Sequence, residues 1–367
     1  MRGLYVHVPF CLKKCDYCDF VSYPDCYHLE DAYVDALLSE FRQYRGGVVD
    51  TIYLGGGTPT SLQTKSLVRI LDGAFETFDV AKGAEVTVEC NPKTADEAKL
   101  YALLEHGANR LSIGVQSLEN QVLQTIGRIH TAEDAIQCVQ MAKQAGFFNI
   151  SGDVMFGLPG QSIKSLKETL AQMTALPLTH ISCYGLICEE ETPLTRQIEA
   201  GVLTLPDEDT EYDMYRTVVH HLKQDGFHQY EISNFAKAGM ESRHNMKYWD
   251  CIEYFGCGAA AHSYFDGERY HNTEDLTEYI QNPGEKQDIM DIGLEDAVYE
   301  YMMLGLRKTK GVSKSRFRER FGMELTACFH DVIEKYKKNG LLQENGDYIS
   351  FTEQGIYVSN TVLCEFM

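Results

Sequence analysis

The strongest constraint on this chain is a rhythm of alternating segment types. Short β-rich runs at residues 4–8, 51–54, 85–90, 110–115, 150–156 and 180–186 are separated by amphipathic helical stretches at 31–44, 64–78, 94–106, 132–145 and 163–175. Strands alternating with helices at this spacing make βα units, whose crossovers return each strand parallel to the last. Six such units without a dinucleotide fingerprint predict an α/β fold, a closed or partly closed barrel. Gly107 and Gly146 each follow a helical run, where a left-handed C-terminal cap is wanted. In a parallel barrel the C-terminal strand ends converge on one mouth, and active sites are built there. The polar and glycine residues of this chain fall at those ends. Gly55-Gly56-Gly57-Thr58-Pro59 follows the second run, Glu89-Cys90-Asn91-Pro92 ends the third and Gln116 ends the fourth. Asp153 lies in the fifth, just ahead of Gly157-Leu158-Pro159. These segments are expected to surround a single pocket.

At 367 residues the chain is long enough for roughly two to three domains. A barrel core is expected over 1–220 and a less regular extension over 221–290, which holds the run His244–Trp249 and a Gly- and Ala-rich loop at 256–262. Residues 291–367 read as helix, helix and β-ribbon, a winged-helix-like unit. Its basic segment carries Arg307, Lys308, Lys310, Lys314, Arg316, Arg318 and Arg320. The chain as a whole has 33 basic against 54 acidic residues, a formal charge of −21. Such a chain repels phosphate backbones, so a DNA-binding role for the winged helix is disfavoured and no nucleic-acid partner is expected. No stretch approaches the roughly 20 uninterrupted apolar residues of a membrane span, and the N-terminus lacks a signal-peptide pattern. A cytoplasmic protein is expected.

Twelve cysteines in a chain of this size and context do not suggest a disulfide framework. Cys26, Cys90, Cys138, Cys183, Cys188, Cys251, Cys257, Cys328 and Cys364 are scattered and read as buried or half-buried thiols packing as small hydrophobes. Cys11, Cys15 and Cys18 are different: they fall within one short loop, directly after the first strand. Three thiolates so close in sequence can face one metal centre. Structural zinc sites close a tetrahedron with four protein ligands, and iron–sulfur clusters also commonly take four cysteines. Neither His7 nor Asp16 has a spacing that completes such a set. A cluster on three cysteines keeps one iron open for a substrate or cofactor. The glycine run lets a ligand's polar end approach the backbone, Glu89 could accept hydrogen bonds from a ribose, and Gln116, Arg128 and Asp153 supply further polar contacts. Singly, each of these has a plain structural reading; converging on one mouth, they make a functional pocket.

The CxxxCxxC triplet, with aromatic Tyr17 before its last cysteine, resembles the radical S-adenosylmethionine (radical SAM) superfamily. The frame YVHVPFC at 5–11, GGGTP at 55–59, NRLSIGVQS at 109–117 and GLPGQ at 157–161 is similar to one branch of it, that of the oxygen-independent coproporphyrinogen III oxidases and the related HemW haem chaperones. The likeness runs over nearly the whole chain, including the C-terminal unit. It implies a partial (β/α)6 barrel with a [4Fe-4S] cluster on Cys11, Cys15 and Cys18, and SAM chelating the fourth iron through its amino and carboxylate groups. In the enzymes of the superfamily the reduced cluster cleaves SAM to methionine and a 5′-deoxyadenosyl radical, with an electron donor such as flavodoxin or ferredoxin. Motif by motif, Tyr5, Gly56, Gly57, Thr58 and Glu89 fall at SAM-contacting positions. Tyr17, Gln116, Arg128 and Asp153 fall where the oxidases hold a second SAM or the far side of the pocket, and His262 falls where the Gly-rich loop reaches the cofactor.

Two departures separate the chain from the oxidases. They carry a further cysteine two residues after the triplet, where this chain has Phe20, and they have an N-terminal extension, where this chain has three residues before the first strand. Decarboxylation of coproporphyrinogen, the alternative activity, is therefore not expected. His244-Asn245-Met246-Lys247-Tyr248-Trp249 matches the HNxxYW sequence associated with haem binding in the chaperones. Neutral imidazole is a common axial ligand of haem iron. On a helix Tyr248 would sit one turn from His244, with Trp249 adjacent, and aromatic rings suit a flat porphyrin. His244, Asn245, Tyr248 and Trp249 are the expected haem residues, whereas His220, His221 and His228 lack such context and read as structural. The resemblance thus implies a haem chaperone that passes haem to an acceptor protein, such as a respiratory haem protein. Homodimerisation and peripheral membrane contact also occur among such relatives.

Overall fold

The computed structural model describes residues 1–366. Six parallel strands, β1 (Arg2–Val8), β2 (Val48–Gly56), β3 (Asp79–Cys90), β4 (Arg110–Gln116), β5 (Asn149–Phe156) and β6 (His180–Gly185), lie side by side in sequence order. That order is what consecutive right-handed βα crossovers produce. The helices Glu30–Phe41, Thr64–Thr77, Glu97–Glu105, Ala132–Ala145 and Ile163–Ala175 cover the outer face. Strand periodicity then sorts the side chains. Along β4, Leu111, Ile113 and Val115 join the apolar core, while Arg110, Ser112, Gly114 and Gln116 point into the barrel. Three of these outer helices start at a side-chain cap, Asp96, Thr131 and Ser162, the last two as capping boxes with Asp134 and Ser165. Gly146 ends its helix in the left-handed region at φ +114°, and Gly107, at φ +92°, follows His106, the C-terminal cap of helix Glu97–Glu105.

The barrel does not close. On one side β9 (Tyr254–Cys257) pairs parallel with β1, and β10 (His262–Phe265), β11 (Glu268–Asn272) and β12 (Lys286–Asp291) continue antiparallel. On the other side β8 (Asn234–Ala236) runs antiparallel to β6 and is followed by β7 (His228–Gln229). The irregular stretch after residue 207 thus supplies both flanks of one twelve-stranded sheet, and its partners occupy the edges through which β1 and β6 would otherwise meet. Glu40, fully buried, ties one flank to the outer helices: it accepts from the Gly258 N–H at 2.8 Å, Asn272 Nδ2 at 2.7 Å and the Tyr279 hydroxyl at 2.6 Å.

The C-terminal unit contains the helices Leu294–Gly305, Lys314–Phe321, Leu325–Cys328 and His330–Lys338, and a small sheet of β13 (Val312–Ser313), β14 (Leu342–Asn345) and β15 (Tyr348–Phe351). The β14–β15 hairpin turns at Gly346, φ +59°. The basic segment is largely engaged within the chain. Lys308 pairs with Asp250, Lys314 with Glu344 at 2.6 Å, and Arg318 with Glu324 at 2.7 Å. Arg307 lies over the Trp249 ring at 5.5 Å, and Arg320 donates to the Cys251 carbonyl at 3.3 Å. Among the nine scattered cysteines, Cys188, Cys328 and Cys364 are exposed rather than buried, because they sit in the loop after β6, at the end of a short helix and in the last 3-10 turn. Among the described residues no helix is long and apolar enough to cross a membrane.

Candidate functional site

The loop bearing the cysteine triplet leaves β1 and is held to the neighbouring strand ends by one connected set of hydrogen bonds. The Cys11 sulfur lies 3.2 Å from Thr58 Oγ1, which accepts from Asn91 Nδ2 at 2.7 Å. Arg128 donates through Nη2 to Asn91 Oδ1 and to the Gly114 carbonyl, both at 2.6 Å, and through Nη1 to the Cys15 sulfur at 3.3 Å. Cys11, Cys15 and Cys18 line a cavity of about 140 Å3 together with Gly56, Gly57, Thr58, Glu89, Gln116, Arg128 and Asp153. A larger cavity of about 460 Å3 adjoins it, sharing Tyr17, Cys18, Phe20, Glu89, Ser112, Asp153 and Tyr184. It runs down to Tyr53, Arg110, Asn234 and Asn245.

Local backbone geometry explains the residue types. A Cβ on Gly56, at φ +100°, would stand 2.5 Å from the His7 ring, and one on Gly57 would stand 2.7 Å from the Phe10 carbonyl. Side chains are therefore excluded where the cavity meets β2. Gln116 is held at φ +66°, a conformation unfavourable for a non-glycine residue, at an irregularity in the β4–β5 register. Its Oε1 accepts from the Tyr184 hydroxyl at 3.1 Å.

Burial dominates the electrostatics. The Glu89 carboxyl, which accepts from the Tyr53 hydroxyl at 2.7 Å, is pushed up to about 7 by desolvation. Asp153 is raised for the same reason, opposed by hydrogen bonds from Ser182 and Ser112 and by the charge of Arg110. Burial also pushes the Cys18 thiol up to about 11 and raises Cys11. Cation coordination is what would draw these thiols into the thiolate form, because metal binding displaces the proton. Among the described residues no three ligating side chains are gathered tightly enough for a single metal ion. A four-iron cluster distributes its thiolates over separate irons, so the donor set of three sulfurs around one cavity suits a cluster better than a mononuclear site.

Not all the expected site residues come together. Tyr17, Gly56, Gly57, Thr58, Glu89, Gln116, Arg128, Asp153 and Asn245 line the two cavities with the cysteines. Tyr5 lines neither; its hydroxyl bonds His7 Nδ1 at 3.0 Å. His262 also lies outside, exposed on β10 and against the His271 ring at 5.0 Å. The segment 243–249 is helical as expected, yet His244 does not stand as an open ligand. Its Nδ1 is 2.8 Å from Thr51 Oγ1, its Nε2 is 2.9 Å from the Tyr248 hydroxyl, and its ring stacks on Tyr53. Burial lowers its pKa to about 3, so the ring is neutral. Trp249 turns away, toward Arg307 of the C-terminal unit. The sequence reading missed Arg110, Tyr53, Tyr184 and Asn234 as lining residues. The period-two pattern was the available signal for the first three, since each falls on the inward face of its strand.

The radical SAM superfamily sequence profile matches residues 5–173, and that of the HemN C-terminal domain matches 292–358. Heme chaperone HemW of Bacillus subtilis (strain 168) is 40% identical, the alignment covering 100% of this chain and 99% of that protein. The chain belongs to the HemW family. HemW of Lactococcus lactis is 36% identical over 100% of this chain and 97% of its own length. Among solved structures, Escherichia coli coproporphyrinogen III oxidase (HemN) superposes with a TM-score of 0.87 over 99% of this chain and 89% of that one. At 23% identity that likeness shows the fold alone: a radical SAM barrel followed by a C-terminal helical domain.

Proposed function

We propose that this protein is a haem chaperone that binds haem beside a SAM-liganded [4Fe-4S] cluster and hands the haem to an acceptor protein. The observation that carries this reading is the cavity of about 460 Å3 that joins the cysteine loop to Asn245 of the HNMKYW helix. Its rim offers exposed Phe20 and Ile187, and its walls Tyr17, Tyr53, Met155 and Tyr184, apolar surfaces suited to a flat macrocycle. The full-length similarity to proteins named HemW supports the same cargo.

Cys11, Cys15 and Cys18 would hold the cluster, which when bound supplies single electrons and an open iron for SAM. The chain's own residues prepare that place. Gly56 and Gly57 let β2 lie directly against His7 and the start of the cysteine loop, Glu89 presents a carboxyl able to exchange a proton near neutrality, and Arg128 steadies the Cys15 sulfur. His244 becomes an axial ligand only if its Nε2 releases the Tyr248 hydroxyl, so haem ligation would be coupled to a shift of helix Arg243–Trp249. The test is an anaerobic haem titration of cluster-reconstituted protein, read by absorbance, with His244→Ala alongside. Stoichiometric binding that weakens in the variant is expected. Absence of binding in the wild type would overturn the chaperone reading, and equal binding in both proteins would remove His244 from the site.

A further inference from the structure

Arg110 is the anomaly of the barrel interior. It is the first residue of β4, only 2% exposed, with its side chain directed into the larger cavity. No nitrogen of its guanidinium takes part in a hydrogen bond or ion pair with a described residue, and its Nε is fully enclosed without a partner. Its two Nη groups face the cavity without an acceptor from the described residues, an unusual state for so deeply held a cation. Buried arginines ordinarily fork onto a carboxylate or phosphate. Two carboxylates of the same cavity feel its charge, but both are held elsewhere: Glu89 by Tyr53, and Asp153 by Ser112 at 3.2 Å. A second orphan stands nearby, because Asn234 lines the same cavity with its buried Oδ1 unpartnered. Arg110 is the sole cation among the lining residues of that cavity.

We infer that Arg110 anchors a carboxylate of the cargo at the floor of the larger cavity, with Asn234 and Asn245 beside it. This rests on the chaperone reading and makes it specific: the ligand has an apolar body, received between the aromatic walls, and an anionic tail, received by the guanidinium fork. Haem, with its propionates, has that chemistry. The methionine carboxylate of SAM shares the anionic group, and the experiment separates the two sources.

Wild type, Arg110→Met and Arg110→Lys are titrated anaerobically with haem, with haem dimethyl ester, whose propionates are neutral, and with SAM. Charge-assisted hydrogen bonds of this kind correspond to about 10–100-fold in affinity. The wild type is expected to bind haem more tightly than the ester by that factor. Arg110→Met should lose the same factor for haem and nothing for the ester, with Arg110→Lys between them. Equal losses for haem and ester, or full haem affinity in folded Arg110→Met, would overturn the anchor. A loss confined to SAM would assign the carboxylate to SAM and overturn the cargo contact. Absence of haem and ester binding in the wild type would instead sink the chaperone reading itself. Removal of an unpaired buried charge should leave the melting temperature of Arg110→Met unchanged or raised. Should that variant fail to fold, the haem-to-ester ratio in the wild type and in Arg110→Lys still decides.

Discussion

Two arginines, one on the C-terminal unit and one inside the barrel, are treated in opposite ways. Arg318, on the C-terminal unit with 62% of its side chain exposed, forks onto Glu324. Arg110, inside the barrel, makes no hydrogen bond or ion pair with a described residue, and its Nε is enclosed. Solvation alone would arrange them the other way round, since an exposed charge is already satisfied by water and an enclosed one is not. In the C-terminal unit and its junction Lys308, Lys314, Arg318, Lys335 and Lys337 all find carboxylates within the chain. In the barrel interior Arg110 Nε and Asn234 Oδ1 find no partner among the described residues.

The sharpest way to break that comparison is at the cysteines. Cys15→Ala is expected to lose nearly all iron and sulfide after anaerobic reconstitution, whereas Cys328→Ala, exposed on the C-terminal unit, keeps both. Full retention in Cys15→Ala would remove the triplet as the cluster site. Next is the pH dependence of stability. Burial raises Glu40 and Glu231 to about 7, as it does Glu89. Between the ordinary carboxylate value and about 7 the folded state holds these protons and the unfolded state releases them, so stability falls as pH rises through that window. Glu40→Gln cannot titrate and should flatten the fall by about 2–3 kcal/mol, read from urea unfolding at pH 5 and pH 7.5. Lys308→Met removes the partner of Asp250 at the junction and should cost about 1–2 kcal/mol. A cost as large from Arg110→Met would erase the contrast between the two regions. Smallest is Tyr248→Phe, which frees His244 Nε2 and should lower apoprotein stability by about 1 kcal/mol while strengthening haem binding. Weaker haem binding in Tyr248→Phe would argue against exchange of the hydroxyl for iron.

The parts of the fold that could be read in the sequence are those with long, regular patterns. All six core strands and the five expected outer helices occur within a few residues of the expected positions. The flanking strands β7 to β12 could not be read, because runs such as His262–Phe265 and Lys286–Asp291 are short and polar and gain their order from pairing with neighbours remote in sequence. At the site, the cysteine spacing and the glycine run carried chemistry legible from residue type alone. Arg110 did not, since a charged residue at the start of an apolar run reads as a solvated strand end. His244 shows the limit of a motif: it has the same surroundings as His180, a buried ring with one nitrogen on a serine or threonine hydroxyl and the other on a tyrosine.

The pairing of β1 has a consequence for how the molecule is made. Strand β1 is made about 250 residues ahead of β9 yet becomes an interior strand of the finished sheet, with β2 on one side and β9 on the other. Arg2 meets its partner Glu253 251 positions along the chain. At a synthesis rate of about 5–20 residues per second, one edge of β1 stays bare for roughly 10–50 s after it emerges. During that time the adjoining cysteine loop has no finished wall behind it. Cluster insertion before β9 arrives would meet an open, water-filled loop, and a nascent edge strand invites pairing with other chains. Maturation of this protein should therefore be a late, post-synthetic event, sensitive to anything that delays residues 254–257.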